Sequence, residues 1–351
     1  MFFLYPVQAI EENWIHECIQ AAFERICSDL DAQKMVPDWP DMIPEAYRES
    51  LRSREKLPQL LATFKNEAEK LSPENRAEFL KSFRQQNKIA NLLDGSLPIP
   101  TCSDGLNQLL ASAKAVCDEG YLLLGRLAIR NNQYKIIYEH IEKKGCPFCG
   151  MMIFDAPSLP SEDDDHYLAR SIYPLAAANF LNLAPMCGKC NQKYKGTKDI
   201  IRPNGVRKKA INPYGHITID ITLINSSPFD GKHGKPAWKV DLIPNIEESE
   251  TWDSVFSIRK RLIETILEPR FDEWFNELSD WFLAVGADIN IDNNTLINAL
   301  SNFINYKMKH RDIGADFFKP KLFELFAHHC KNGNEEVIAM IRYCLPNNHA
   351  A

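Results

Sequence analysis

No apolar run in these 351 residues approaches the roughly 18 needed to cross a bilayer, which excludes a transmembrane helix of ordinary type. The opening Met-Phe-Phe-Leu-Tyr-Pro is apolar but short, lacks a basic n-region and is soon followed by Glu11 and Glu12. It does not read as a signal peptide, so a cytoplasmic location away from any membrane is the expectation. No internal repeat, heptad run or low-complexity tract is found, which excludes a repeat array and a long coiled coil. Helix-turn-helix spacing and tandem zinc fingers are lacking too, so no DNA-reading module is visible by pattern. Nor is there an overall excess of positive charge: the net charge of −6 argues against a chain coated in nucleic-acid-binding surface.

What is present is an ordinary globular balance, 45% hydrophobic and 25% charged, enough to bury a core. The length favours two or three domains. Residues 8 to about 93 carry helical periodicity: Ile10, Trp14, Ile15, Cys18, Ile19 and Phe23 recur at three-to-four spacing. Ser72-Pro73-Glu74 reads as an N-cap, a first-position proline and a first-turn acid. Residues 94–105 read as a linker, and helical pattern resumes from about 106 to 143. Ile217, Ile219, Ile221 and Leu223 then alternate with polar residues. With Trp238–Ile243 they predict a small β-hairpin or two neighbouring strands. From Thr251 the pattern is helical again. Trp274, Leu278, Trp281 and Phe282 form one apolar face, and further helices are expected at about 293–309, 315–331 and 333–344.

Ten cysteines in a cytoplasmic chain are expected to be reduced. Cys18, Cys27, Cys102, Cys117, Cys330 and Cys344 are scattered through helix-like sequence and read as small core residues. The other four form two C-x-x-C pairs, Cys146/Cys149 and Cys187/Cys190, each with Pro or Gly in its turn. Two such pairs suit one tetrahedral Zn²⁺ with Zn–S bonds of about 2.3 Å, and four sulfurs leave no open position, so the zinc would be structural. A free thiol or redox pair is the plainer alternative. The 37 residues between the pairs exceed a simple zinc ribbon. The run 151–154 in that insert suits a strand.

The insert carries Asp163-Asp164-Asp165-His166-Tyr167-Leu168, then Asn182-Leu183 five residues before Cys187, and Asn191 directly after Cys190. Read in order, D-H-x-L … N-L-x-x-x-C-x-x-C-N resembles the HNH (ββα-metal) endonuclease family in its four-cysteine zinc-knuckle form, over about 50 of the 351 residues. The resemblance implies that His166, on the second strand of a β-hairpin, is the general base, its ordinary pKa being close to neutral. It implies Asp165 and Asn191 as ligands of a catalytic cation, and Asn182 as a residue that orients His166 or holds the loop. Oxygen ligands suit Mg²⁺ or Mn²⁺, so one catalytic Mg²⁺ is expected beside the structural zinc. Asn179 is also near, but Asn182 matches the family spacing.

Each residue has a plainer alternative. A lone His in a polar loop is usually solvated, residues 162–165 alone are an acidic loop, and Asn182 and Asn191 alone are turn or cap residues. Their register with the cysteines sets them apart. The acids would repel DNA unless a metal neutralised them, or would mask the site until activation. Two positions depart from the family: Ala169 stands where Pro is frequent, and Lys195-Gly196 comes one residue late.

From Met186 to Lys209 there are eight basic residues and one acid. Lys193, Lys195, Lys198 and Arg202 are candidate phosphate contacts, with Arg170 and His216 weaker. Asn212-Pro213-Tyr214 resembles a tail of some relatives and receives no role.

The expected architecture is α+β and mainly helical. A helical N-terminal domain (1–135) precedes an HNH module with zinc knuckle (136–215), then a β-hairpin and helical C-terminal domain (216–351). The expected function is Mg²⁺-dependent cleavage of nucleic acid, DNA before RNA. The layout is similar to HNH effectors of Septu-like anti-phage systems, which implies a partner ATPase. The alternatives are a self-sufficient restriction or repair nuclease, a non-catalytic zinc-knuckle binding module, and a scaffold whose nuclease is active only in an assembly.

Overall fold

The computed structural model describes residues 1–141, 143–159, 164–231, 234–288, 290–310 and 314–346; of residues 164 and 165 the backbone alone is described. The chain is mainly helical, with 59% helix and 4% strand, as the α+β expectation requires. No helix among the described residues is long and apolar enough to cross a membrane. Two compact units are each assembled from separate stretches: Met1–Phe3, Lys143–Phe154 and Thr218–Ala351 in one, Leu4–Glu142 and Asp155–Ile217 in the other.

Among the described residues the second of these holds seven α-helices: α1 (Trp14–Asp31), α2 (Glu45–Arg52), α3 (Lys56–Glu69), α4 (Pro73–Gln86), α5 (Ile89–Leu93), α6 (Asn107–Arg126) and α7 (Ile129–His140). Ser72 caps α4 as its sequence predicts, its hydroxyl accepting from the Asn75 N–H. The helical stretch expected from 106 to 143 is broken between α6 and α7, where Ala128 takes φ +57°. The core of this unit is mainly aliphatic around a cluster of phenylalanines. Phe23 meets Phe64, Phe79 and Phe83 at ring-centroid distances of 4.3, 5.5 and 5.3 Å. Leu175, Ala177, Ala178, Phe180 and Leu183, from the stretch between the two cysteine pairs, join the same core. Gly120 of α6 makes this close approach feasible: a Cβ there would lie 2.4 Å from Ile19 Cδ1 and 3.0 Å from Ala178 Cβ.

Beyond the helices, β1 (Asp164–His166) pairs antiparallel with β2 (Leu183–Pro185), His166 standing opposite Leu183. His166 therefore ends the first strand of its pair, not the second as the resemblance implies. The reason is the path that follows it: residues 167–182 form a packed loop of short 3₁₀ turns whose apolar side chains are drawn into the helical core. After β2 comes a short helix, Lys189–Lys195, with π-type hydrogen bonding. It ends at Gly196, which takes φ +51° and donates its N–H to Asn191 O at 2.7 Å.

In the other unit, β3 (Asp220–Thr222) pairs antiparallel with β4 (Asp241–Ile243). Ile219, Ile221 and Leu223 are buried, as the alternation predicts. The segment 151–154 forms only one bridge, between Gly145 and Ile153. Then follow α8 (Glu247–Phe256), α9 (Ile258–Arg261), α10 (Glu268–Ala284), α11 (Asn293–Lys309), α12 (Ala315–Lys331) and α13 (Glu335–Tyr343). Phe2 packs edge-on to Trp252, Phe317 and Phe318. A second aromatic cluster joins Phe275 to Phe323 and Phe326, and Phe323 to Phe303. Of the six scattered cysteines, five are buried and Cys102 is half-buried.

Candidate functional site

The first cysteine pair closes a tight turn. Cys146 O accepts from the N–H groups of Cys149 and Gly150, and Gly150 takes φ +64°, where a side chain would be strained. Backbone N–H groups point at the sulfurs: Met151 N lies 3.5 Å from Cys149 Sγ, and Cys190 N 3.5 Å from Cys187 Sγ. The thiols of Cys146, Cys149, Cys187 and Cys190 are all buried and lie within 4.8 Å of one another. None is in a disulfide. Four sulfurs around one ion at about 2.3 Å stand about 3.8 Å apart, so the cluster suits a metal such as zinc. The donor set supports the same fit, since four converging sulfurs in a buried site match the closed ligand set of a structural zinc.

His166 is buried at the end of β1. Its Nε2 lies 3.0 Å from Ala177 O. A carbonyl oxygen only accepts, so Nε2 carries the proton, and in the neutral ring Nδ1 keeps its lone pair. Burial lowers the His166 pKa to about 4; the Ala177 carbonyl opposes that shift, Arg170 and Lys195 reinforce it, and Asp118 opposes it weakly. The ring is therefore neutral at pH 7. Tyr121 of α6 packs against it at a centroid distance of 4.5 Å.

Asn182 is fully buried and holds the loop. Its Oδ1 accepts from Leu168 N at 2.7 Å, and its Nδ2 donates to Leu168 O at 3.1 Å and Ala176 O at 3.3 Å. Of its two expected roles, these contacts are those of the loop-holder. Asn179 acts similarly on the helices: its Oδ1 accepts from Asn13 Nδ2 at 3.1 Å, and its Nδ2 donates to Asn87 Oδ1 at 3.0 Å. Asn191 sits half-buried in the short helix, its N–H donating to Cys187 O at 3.0 Å. Asp165 pairs through its backbone with Ala184; its side chain lies outside the described residues. Tyr214 braces β2, its hydroxyl donating to Leu183 O at 2.6 Å and accepting from Gln133 Nε2 at 2.9 Å. That gives the Asn-Pro-Tyr segment a structural role.

The basic candidates divide by burial. Lys193 and Lys198 are exposed, as is His216. Lys195, expected at the phosphates, is buried, with Nζ 3.3 Å from Gly196 O. Arg202 Nε donates to Asp199 Oδ2 at 2.8 Å, and the same carboxylate accepts from Tyr173 OH at 3.0 Å. Both residues are thus part of the local frame.

Sequence reasoning missed the group that α6 and α7 bring to His166. Arg130 Nη1 donates to Tyr121 OH at 2.7 Å, and Arg130 Cζ lies 4.7 Å from that ring. Arg170 Cζ lies 5.8 Å from it. Asp118, one turn before Tyr121, pairs with Lys114 at 2.6 Å and with Arg170 at 3.7 Å. The Asp118/Lys114 spacing is a helical pair legible in sequence; its juxtaposition with His166 is tertiary and carries no local signal. Comparisons of the chain with protein-family models, with curated proteins and with solved structures found no match.

Proposed function

We propose that this chain is a metal-dependent endonuclease of the HNH type that hydrolyses DNA phosphodiester bonds. The observation that carries the reading is the geometry of His166: a buried imidazole at the end of β1, its proton held on Nε2 by the Ala177 carbonyl and the lone pair left on Nδ1. General-base catalysis needs such a lone pair, and contributes roughly 10²–10⁴-fold. The order of elements supports it: β1, a braced loop, β2 and a short helix bearing Asn191 follow one another in a single unit.

In this reading Nδ1 takes a proton from a water molecule as the water oxygen bonds to phosphorus. The bond from phosphorus to the leaving sugar oxygen breaks, and that oxygen takes a proton from solvent. Asp165 and Asn191 would hold Mg²⁺ or Mn²⁺, which would supply positive charge at the developing oxyanions. Asn182 keeps the loop, and so the Ala177 carbonyl, in register with His166. Lys193 and Lys198 meet backbone phosphates without reading sequence.

Supercoiled-plasmid cleavage in Mg²⁺ or Mn²⁺, with His166→Ala alongside, tests the proposal. Nicking or linearisation by the wild type alone supports it. Equal cutting by both removes His166 from the mechanism. Silence of both rules out a self-sufficient enzyme on this substrate and favours a zinc-knuckle binding module or a nuclease active only in an assembly.

A further inference from the structure

Arg170 stands four residues beyond His166, past the end of β1. Its side chain is 45% exposed. Among the described residues it makes no hydrogen bond: its ion pair with Asp118 spans 3.7 Å, beyond hydrogen-bond reach, and Asp118 is held more closely by Lys114 at 2.6 Å. The guanidinium is instead propped on an aromatic ring, with Cζ 5.8 Å from the Tyr121 centroid. That ring also touches His166, at 4.5 Å. Tyr121 is itself held by Arg130, which donates to its hydroxyl at 2.7 Å and lies over its face at 4.7 Å. Gly125, one turn along α6, leaves the space for that guanidinium; a Cβ there would meet Arg130 Nη2 at 2.6 Å.

From this arrangement, and resting on the nuclease reading above, we propose that Arg170 is a phosphate-binding residue of the site and that Tyr121 is the positioning residue that holds it beside His166. A guanidinium offers paired N–H donors that match two phosphate oxygens, and it keeps its charge at any working pH. A long, partly exposed ion pair contributes little, so exchanging Asp118 for a phosphodiester costs little. The bound phosphate then lies next to the imidazole, where charge gathers on its oxygens as water attacks. Lysine at this position would supply the charge but not the fork.

The test combines two readouts on the full chain. Single-turnover plasmid cleavage in Mn²⁺ is measured for wild type, His166→Ala, Arg170→Ala, Arg170→Lys, Tyr121→Phe and Gly125→Ala. The salt dependence of duplex-oligonucleotide binding is measured in EDTA, where nothing is cut. Loss of one transition-state donor costs about 100-fold or more, so Arg170→Ala should slow cleavage by that factor. It should also flatten the binding slope by about one unit, as removal of one phosphate contact does. Arg170→Lys should restore the slope but only part of the rate. Tyr121→Phe and Gly125→Ala each disturb the Arg130 brace, by losing its acceptor or by displacing its guanidinium. Both should lower the maximal rate more than they raise half-saturation, since they disturb the placement of the Arg170 charge and leave the charge itself in place. If wild type cuts, His166→Ala does not, and Arg170→Ala cuts at the wild-type rate with an unchanged slope, the Arg170 assignment is overturned and the nuclease reading stands. If wild type does not cut, the self-sufficient nuclease reading falls, and a slope unchanged by Arg170→Ala overturns the phosphate contact independently.

Discussion

Asn182 has no exposed surface, and its amide is committed on both sides to the loop that follows β1. Replacing it with alanine leaves Leu168 N–H and the Leu168 and Ala176 carbonyls buried without that partner. The expected cost is about 2–4 kcal/mol, read as a lower urea midpoint at unchanged slope. A loss of activity with no loss of stability would instead make Asn182 a reacting group. His16 of α1 gives a pH prediction. It is buried beside Phe83, and burial lowers its pKa to about 4 against 6.5 when exposed. The unfolded chain therefore binds the proton more readily. Stability is complete above pH 6.5 and declines as pH falls towards 4, by up to about 3 kcal/mol from this residue. Thermal melts of wild type and His16→Phe should converge or cross on acidification through that window; parallel curves would exclude the effect. At this scale the sequence was legible where chemistry and spacing coincide, as in the two cysteine pairs. It was misleading for Lys195 and Arg202, which sit in a basic run but are respectively buried and bound to Asp199. Charge along the chain reports composition, whereas burial and pairing are decided by distant segments.

Among the elements, α6 has most to do with the candidate site, since it carries Tyr121, Asp118 and Gly120. Alanine at position 120 would favour the helix by about 1 kcal/mol. Against that, its Cβ would press on Ile19 and Ala178 inside a packed core, and overpacking typically costs about 1–3 kcal/mol. The second effect should win, so Gly120→Ala is expected to lower the melting temperature. It should also slow cleavage, because the strained loop carries the Ala177 carbonyl that orients His166. A more stable variant would show that the core yields there. The helices themselves were readable: 293–309 and 315–331 coincide with α11 and α12, and α13 lies within its expected span. Those segments are long, amphipathic and bounded by polar residues, among them the caps Asp292 and Asn334. β1 (Asp-Asp-His) and β2 (Leu-Ala-Pro) do not alternate apolar and polar residues as the stretch around β3 does, so no period-two pattern pointed to them.

For the whole molecule, the cysteine cluster and the charge distribution make separate predictions. A cluster of four buried thiols should give close to one zinc per chain by elemental analysis, and Cys187→Ser should lose most of it. A folded wild type without metal would remove the zinc assignment. The net charge of −6 opposes approach of a polyanion, so any DNA affinity must come from a local patch. Of the four basic residues first marked as phosphate contacts, only Lys193 and Lys198 are exposed side chains outside the Asp199 network. Each phosphate neutralised adds about 0.9 to the slope of log affinity against log salt. Lys193→Ala/Lys198→Ala should therefore reduce the slope of duplex binding by about two units and weaken affinity alike for unrelated sequences. Lys195→Ala should leave the slope nearly unchanged and lower stability, since its ammonium lies inside the frame. The opposite pattern, with Lys195 controlling the slope and the exposed pair inert, would place the DNA elsewhere on the molecule and detach the basic run from the site at His166.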